Sequence, residues 1–267
     1  MKILFFGDIV GKIGRKAVIK VLPELKKEFK PDLILANGEN LAHGKGLTVK
    51  TAREVLDAGI DGLTSGNHFW SKKEDLRKVL LQKMPVIRPA NYSRKLLGES
   101  QMILKTGKTK VLVINLIGQA FIKDEKKIIT NPFKKIAKIL SKKPTLLKII
   151  LVDFHAEATA EKVSLGHFLN GKVSAIVGTH THIPTADERI LDKGTAYISD
   201  MGMVGEKDSV IGDIKEPIIK HYLTDCPIEF DVAESGLAVI NAVLIEINNK
   251  TGRAISIQRI AKEVEIK

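Results

Sequence analysis

Five short apolar runs, each closing on residues able to hold a metal ion, constrain this chain more than any other feature. The runs at Lys2–Phe6, Leu33–Ala36, Gly62–Ser65, Lys148–Val152 and Ser174–Val177 have the length and composition of buried strands. Just beyond them stand Asp8, then Glu39 with Asn40, then Asn67 with His68, then His155, then His180 with His182. In open α/β sheets ligands bind in the crevice beyond the carboxyl ends of the strands, so one sheet edge would collect all of these side chains.

Helical stretches separate the runs. One is expected from about Gly14 to Phe29, with Pro23 placed to kink or divide it. A second starts at a Thr48 cap and runs to Asp57 before Gly59. Ser71-Lys72-Lys73-Glu74 reads as a capping box opening a third, Asn131-Pro132 opens a fourth, and a fifth covers about 159–170. Strands are also expected over 110–116, 195–198, 237–246 and 254–260. The alternation predicts an α/β layered fold with a largely parallel sheet. The closing strands lack intervening helices and are expected to be antiparallel or to form a second sheet. No repeat or linker divides the chain, so residues 1–267 read as a single domain.

Composition narrows the chemistry. The single cysteine, Cys226, excludes an internal disulfide and a thiolate zinc site, and fits a reducing, cytoplasmic setting. The first residues do not read as a signal peptide, and no run approaches the roughly 18 apolar residues of a membrane span. Net charge is +12, much of it on lysines such as Lys134, Lys135, Lys138, Lys142 and Lys143 of one expected helix. That excess suits steering of an anionic substrate, or RNA, although few aromatics interleave with the lysines. In Gly178-Thr179-His180-Thr181-His182 the two imidazoles point the same way if the backbone stays extended.

The donor set is carboxylate, amide and imidazole without thiolate. It exceeds what one four-coordinate zinc would use and suits manganese or iron at least as well. Two ions roughly 3.5–4 Å apart form a hydrolytic clamp for phosphate esters, and Glu39 has two oxygens with which to bridge them.

Gly7-Asp8-Ile9-Val10-Gly11, Asn37-Gly38-Glu39-Asn40, Gly66-Asn67-His68, His155 and Gly178-Thr179-His180-Thr181-His182 resemble the five ordered blocks of calcineurin-like metallophosphoesterases. Val10 stands where the first block usually has histidine, and Glu39 replaces the usual bridging aspartate. With Gly66-Asn67-His68-Phe69-Trp70 and Asp153-Phe154-His155-Ala156-Glu157-Ala158-Thr159, the chain resembles the YmdB family along essentially its whole length. The resemblance implies a layered sandwich of two mixed β-sheets flanked by helices. It implies a first metal held by Asp8, Glu39, Asn40 and His182, and a second held by Glu39, Asn67, His155 and His180. Two ions per chain are implied, iron or manganese first, with zinc and magnesium as alternatives.

The implied activity is phosphodiester hydrolysis of cyclic nucleotides, notably 2′,3′-cyclic ones and also 3′,5′-cyclic AMP. A metal-bridging hydroxide would attack in line and His68 would serve as proton donor. Homo-oligomers are implied as well. His43, on the loop after Asn40, is a candidate substrate-phosphate contact; His167 and His221 read as structural. Phe69 and Trp70 suit either base stacking or the core.

Three rivals compete. A nucleotide-binding P-loop at Gly7–Lys12 fails on spacing, with three residues between its glycines and Ile13 after the lysine. An RNA-binding or regulatory module would use the basic surface and keep its metals for structure. A phosphomonoesterase or nuclease would use the same site on another substrate.

Overall fold

Alternation along the first strand sets the architecture. Ile3 and Phe5 face one side of it and Leu4 and Phe6 the other, and all four are fully buried, so apolar layers cover both faces. The computed structural model describes residues 1–92, 97–122, 129–228 and 230–267. It contains two six-stranded mixed sheets packed face to face.

The first sheet is built from β1 (Lys2–Ile9), β2 (Leu33–Asn37), β3 (Gly62–Thr64), β10 (Met203–Glu206), β11 (Gly236–Ile247) and β12 (Ala254–Ile266). Its order is β12-β11-β10-β1-β2-β3, with β1 parallel to β2 and β10, and with β11 antiparallel to its neighbours. The second contains β4 (Gln101–Thr106), β5 (Thr109–Ile117), β6 (Ile149–His155), β7 (Ala175–Thr179), β8 (Arg189–Ile190) and β9 (Ala196–Ile198), in the order β4-β5-β6-β7-β9-β8. Here β5, β6, β7 and β9 are parallel, and β4 and β8 are antiparallel edges.

Helices α1 (Gly11–Phe29), α2 (Val49–Asp57) and α3 (Lys73–Leu81) cover the outer face of the first sheet through Val18, Leu22, Val55 and Val79. Helices α4 (Pro132–Lys142) and α5 (Thr159–Leu169) cover the second through Ile136, Leu165 and Leu169. A sixth, α6 (Lys215–Thr224), precedes β11. Between the sheets lie Ile3, Phe5, Leu35, Val113, Leu151, Val177, Val243 and Ile245. Each such side chain contributes roughly 1.5–3 kcal/mol on burial.

Several local expectations change. The two mixed sheets flanked by helices are those the family resemblance implies, in place of the one largely parallel sheet suggested by alternation alone; β11 and β12 are antiparallel, as one of the two expectations had it, and close the edge of the first sheet. Pro23 neither divides nor ends α1, and it lies on the helix's exposed face. Ser71 does not cap α3, whose N-cap position is Lys72 without a side-chain bond. Instead the Ser71 N–H donates to the His68 carbonyl at 2.9 Å, holding 67–71 as a turn. The reciprocal Thr48–Thr51 box does open α2, and Asn131 caps α4 by accepting from the Lys134 N–H at 3.0 Å. Among the described residues no helix is long and apolar enough to cross a membrane.

Candidate metal centre

Strand parity predicts which side chains meet. In β6, Ile149 and Leu151 face the other sheet, so Asp153 and His155 follow them onto that inner face. Leu33 and Leu35 carry Asn37 there, Ala175 and Val177 carry Thr179, and Gly62 is followed by Thr64. Asp8 is the exception. It is even-numbered like Leu4 and Phe6, which face the helices, but the pairing of β1 with β2 shifts between Phe6 and Asp8. That bulge turns the carboxylate inward. Gly7 makes it feasible, since a Cβ there would lie 1.9 Å from the Gly202 carbonyl oxygen.

A buried polar network supports the strand ends. The Asp153 carboxylate accepts from the hydroxyls of Thr64 and Thr179, the latter at 2.7 Å, and from the Asn37 amide at 3.0 Å. Burial pushes its pKa up, and these donors pull the other way. Because the Thr179 hydroxyl proton goes to Asp153, its oxygen accepts from His155 Nδ1–H at 3.0 Å, leaving His155 Nε2 for the site. His180 reaches the exposed Glu157 carboxylate through Nε2 at 3.2 Å, which frees Nδ1. His182 Nδ1–H donates to the Ile211 carbonyl at 2.6 Å, which frees Nε2. Each imidazole thus spends its proton outside the cluster and turns its other nitrogen inward, as metal-binding histidines do.

The inward groups converge closely. His155 Nε2 lies 3.1 Å from Glu39 Oε1, 2.9 Å from Asn67 Oδ1 and 3.0 Å from His180 Nδ1. Ligand atoms of Glu39, His155 and His180 all fall within 4.8 Å of one another. On the other side of Glu39, His182 Nε2 lies 3.9 Å from Asp8 Oδ1 and 3.1 Å from Asn40 Nδ2. Asn40 Oδ1 accepts from His68 Nδ1–H at 2.9 Å, and the Glu39 carboxylate accepts from the His68 backbone N–H at 3.2 Å. Asn40 thus links His68 to His182, and its oxygen faces His182 only after a half-turn of the amide.

The histidine pair does not lie on extended backbone. His180 has φ 103° and His182 φ 66°, values that cost energy for residues with a Cβ. Two carboxylates hold the turn: Asp8 Oδ2 accepts from the His180 N–H and Asp200 Oδ2 from the Thr181 N–H, both at 3.1 Å. Asp200 is itself paired with the buried Lys162 at 2.6 Å.

Charge in the cluster is mutually dependent. Burial raises the Asp8 pKa to about 6 despite the nearby His182 and His155. Burial would also raise Glu39, but the imidazoles of His155, His68 and His180 outweigh it and hold Glu39 at about 2. Burial would lower His155, yet Glu39 and Asp8 lift it to about 9. Burial and the neighbouring His155 drop His180 to about 3. The two carboxylates therefore favour positive charge between them.

The donor set fits bound metal ions. Asp8 Oδ1 is buried without a hydrogen-bond partner, as a ligand oxygen would be. A Cβ at Gly66 would lie 2.2 Å from Glu39 Oε2 and 2.2 Å from the His155 ring, so glycine there keeps the space beside these donors clear. The centre opens into a cavity of about 570 Å³ lined by Glu39, Asn40, His68, His180 and His182, with His43 and Lys45 beside them.

All eight core candidates, Asp8, Glu39, Asn40, Asn67, His68, His155, His180 and His182, come together, and His43 lines the cavity. His167 lies exposed on α5, and His221 bonds the Cys226 carbonyl away from the site. Phe69 is fully buried, and Trp70 meets Phe69 and Tyr92 edge-on at 5.0 and 4.5 Å, so both pack in the core. Sequence reasoning missed the supporting roles of Asn37, Thr64, Thr179, Glu157, Lys162 and Asp200. For Asn37, Asp153 and Thr179 the signal was present, as a polar residue two positions after an inward-facing apolar one.

Known proteins resemble this chain in sequence and in fold. The chain is 43% identical to the 2′,3′-cyclic-nucleotide 2′-phosphodiesterase of Bacillus subtilis, over 97% of this chain and 96% of that protein. It superposes on the crystal structure of a phosphatase from Mycoplasma pneumoniae with a TM-score of 0.92 at 36% identity, covering 100% of this chain and 94% of the other. The calcineurin-like phosphoesterase YfkN of Bacillus subtilis, at 12% identity and a TM-score of 0.58 over 99% of this chain and 90% of that one, shares the fold. Residues 4–260 match the family described as YmdB-like protein. With strand ends, bulge and inward-turned imidazoles all in the service of one centre, the chain belongs to the YmdB-like family and has the calcineurin-like phosphoesterase fold.

Proposed function

We propose that this protein is a two-metal phosphodiesterase that hydrolyses 2′,3′-cyclic nucleotides, opening the ring at the 2′ oxygen. The observation that carries the reading is the convergence of Asp8, Glu39, Asn67, His155, His180 and His182 on one another, with Glu39, His180, His182 and His68 lining the cavity beside them. The name of the 43%-identical relative supports the substrate class.

Asp8, Asn40 and His182 would hold one ion and Asn67, His155 and His180 the other, with Glu39 shared between them; oxygen and nitrogen donors without thiolate suit iron or manganese. Such ions supply Lewis-acid activation of water and neutralise charge on the phosphoryl oxygens. This chain's own residues do the rest. Asn40 occupies His68 Nδ1, so Nε2 is the nitrogen left to meet substrate. Burial, with the positive field of His155, Lys45 and His182, lowers the His68 pKa against the pull of Glu39, and a histidine so placed gives up a proton readily. Water adds to phosphorus and gives up a proton to solvent, the bond from phosphorus to the 2′ oxygen breaks, and His68 as imidazolium protonates that oxygen, leaving a nucleoside 3′-phosphate; the neutral His68 then regains a proton from solvent. Lys45 and His43 face the cavity where the phosphate enters.

Residues 1–267 act as one domain in this reading, because both sheets supply donors and share the central apolar layer. A cytoplasmic setting and assembly into homo-oligomers complete it.

The test is hydrolysis of adenosine 2′,3′-cyclic phosphate by protein of measured metal content, with Glu39→Ala and His68→Ala in parallel. Turnover that needs about two metals per chain, disappears without Glu39 and falls steeply without His68 is expected. Metal-loaded protein that cleaves neither this substrate nor simple phosphodiesters overturns the reading. Salt-dependent RNA binding that survives loss of the ligands would put the regulatory alternative in its place.

A further inference from the structure

The cavity has two unlike walls. One is the polar centre just described; the other is formed by Val10, Ile211, Ile228 and Phe230. Phe230 is 56% exposed and Ile211 44%, an apolar surface left open beside a charged centre. Clustered apolar surface rimmed by polar groups in a cavity marks a ligand-binding groove.

The wall is tied to the centre through backbone. The Ile211 carbonyl accepts the His182 Nδ1–H bond, and Ile211 holds φ 50°, a left-handed conformation that a β-branched residue adopts only under constraint. Asp213 bridges antiparallel to Val232, and the Ile214 N–H donates to the Asp231 carbonyl at 2.8 Å, which fastens the segment carrying Phe230 to the segment carrying Ile211. The loop bearing His43 and Lys45 closes on Glu39, whose carbonyl accepts from the Gly46 N–H at 2.6 Å, and Gly44 of that loop packs against Val232. These ties bring Lys45 Nζ to 5.0 Å from the centre of the Phe230 ring. A half-exposed aromatic ring with an ammonium over one of its faces, at the mouth of a phosphoesterase centre, matches a flat heterocycle joined to an anion.

Resting on the phosphodiesterase reading, we infer that the exposed part of Phe230, flanked by Ile211 and Ile228, is a nucleobase subsite, and that Lys45, whose ammonium lies over the ring, turns to receive the phosphate end of the same ligand. The subsite makes the enzyme selective for nucleotides over base-free phosphodiesters. Phe230 is a binding residue and takes no part in bond breaking. At about 570 Å³ the cavity has room for a nucleotide.

The experiment compares wild type, Phe230→Ala and Phe230→Leu on adenosine 2′,3′-cyclic phosphate and on methyl riboside 2′,3′-cyclic phosphate, which lacks the base. Calorimetric binding of adenosine 3′-phosphate and of ribose 3-phosphate runs alongside. Phe230→Ala should raise KM for the adenosine substrate about tenfold, with kcat within about twofold, and leave the base-free substrate unchanged. Phe230→Leu, apolar but without a flat ring, should behave like Phe230→Ala. Equal effects on both substrates, or none on either, overturn the subsite, as does wild type that binds both phosphates alike. If adenosine 3′-phosphate binds in a Phe230-dependent way but no substrate is cleaved, the subsite stands and the activity reading falls. The exposure of Phe230 keeps folding out of the comparison.

Discussion

Replacing Thr179 by valine probes the support of the centre without touching a ligand. The side chain keeps its branched shape in β7, while the hydroxyl that joins Asp153 to His155 is lost. All three residues are fully buried, so water cannot take the hydroxyl's place. A hydrogen bond to a buried carboxylate contributes about 1.5–3 kcal/mol and an unpaired buried N–H costs about 1–3 kcal/mol, so the change should destabilise the fold by about 2.5–6 kcal/mol. With Nδ1–H unanchored the His155 ring is free to turn, and metal affinity should fall about 10–100-fold. Urea unfolding of chelator-treated protein reads the first effect, and titration against a competing chelator reads the second. Thr179→Ser, which keeps the hydroxyl, should recover most of both. A Thr179→Val protein within about 1 kcal/mol of wild type and with unaltered metal affinity would refute the reasoning.

Lys162→Met should cost about 3–5 kcal/mol, because it strands the Asp200 carboxylate in a buried site, and Lys162→Met/Asp200→Asn should cost less than the two single changes summed; a double-mutant cycle in urea checks it. Gly66→Ala should leave the far-ultraviolet circular dichroism unchanged but lower bound metal below one ion per chain by mass spectrometry, since its Cβ enters the space beside Glu39 and His155. Burial opposes a charged His155, but Glu39 and Asp8 raise its pKa to about 9, so metal-stripped protein near neutral pH carries a proton there that a metal must displace. Calorimetry in buffers of different ionisation enthalpy should show about one proton released per chain, fading as pH rises past about 9.

Much of the centre was legible because strand ends are visible in sequence and few residue types bind metals. Asp8, Glu39, Asn67, His155, His180 and His182 needed only the positions of five apolar runs and the rule that ligands gather at carboxyl ends. The two-sheet arrangement was not readable from the runs themselves, because pairing is set by contacts distant in sequence: β1 lies beside β10 and β11, about 200 residues further on. The bulge that turns Asp8 inward is likewise invisible without a partner strand, although Gly7 marks where it can occur. The extended backbone that would have aligned His180 and His182 gives way to a strained turn, where Asp8 and Asp200 offer its N–H groups carboxylate acceptors. Ser71 met the letter of a capping box but lost to the turn that presents Asn67 and His68. Phe230 carried no sequence signal, being a lone aromatic in an irregular stretch, whereas Phe69 and Trp70, the more obvious stacking candidates, are consumed by the core.

The most direct test of the two-ion centre is anomalous scattering from crystals of the manganese-loaded protein. Two peaks roughly 3.5–4 Å apart are expected, one beside Asp8 and His182, the other among Asn67, His155 and His180, with Glu39 between them. A single peak, or two peaks away from these side chains, would contradict the centre as described.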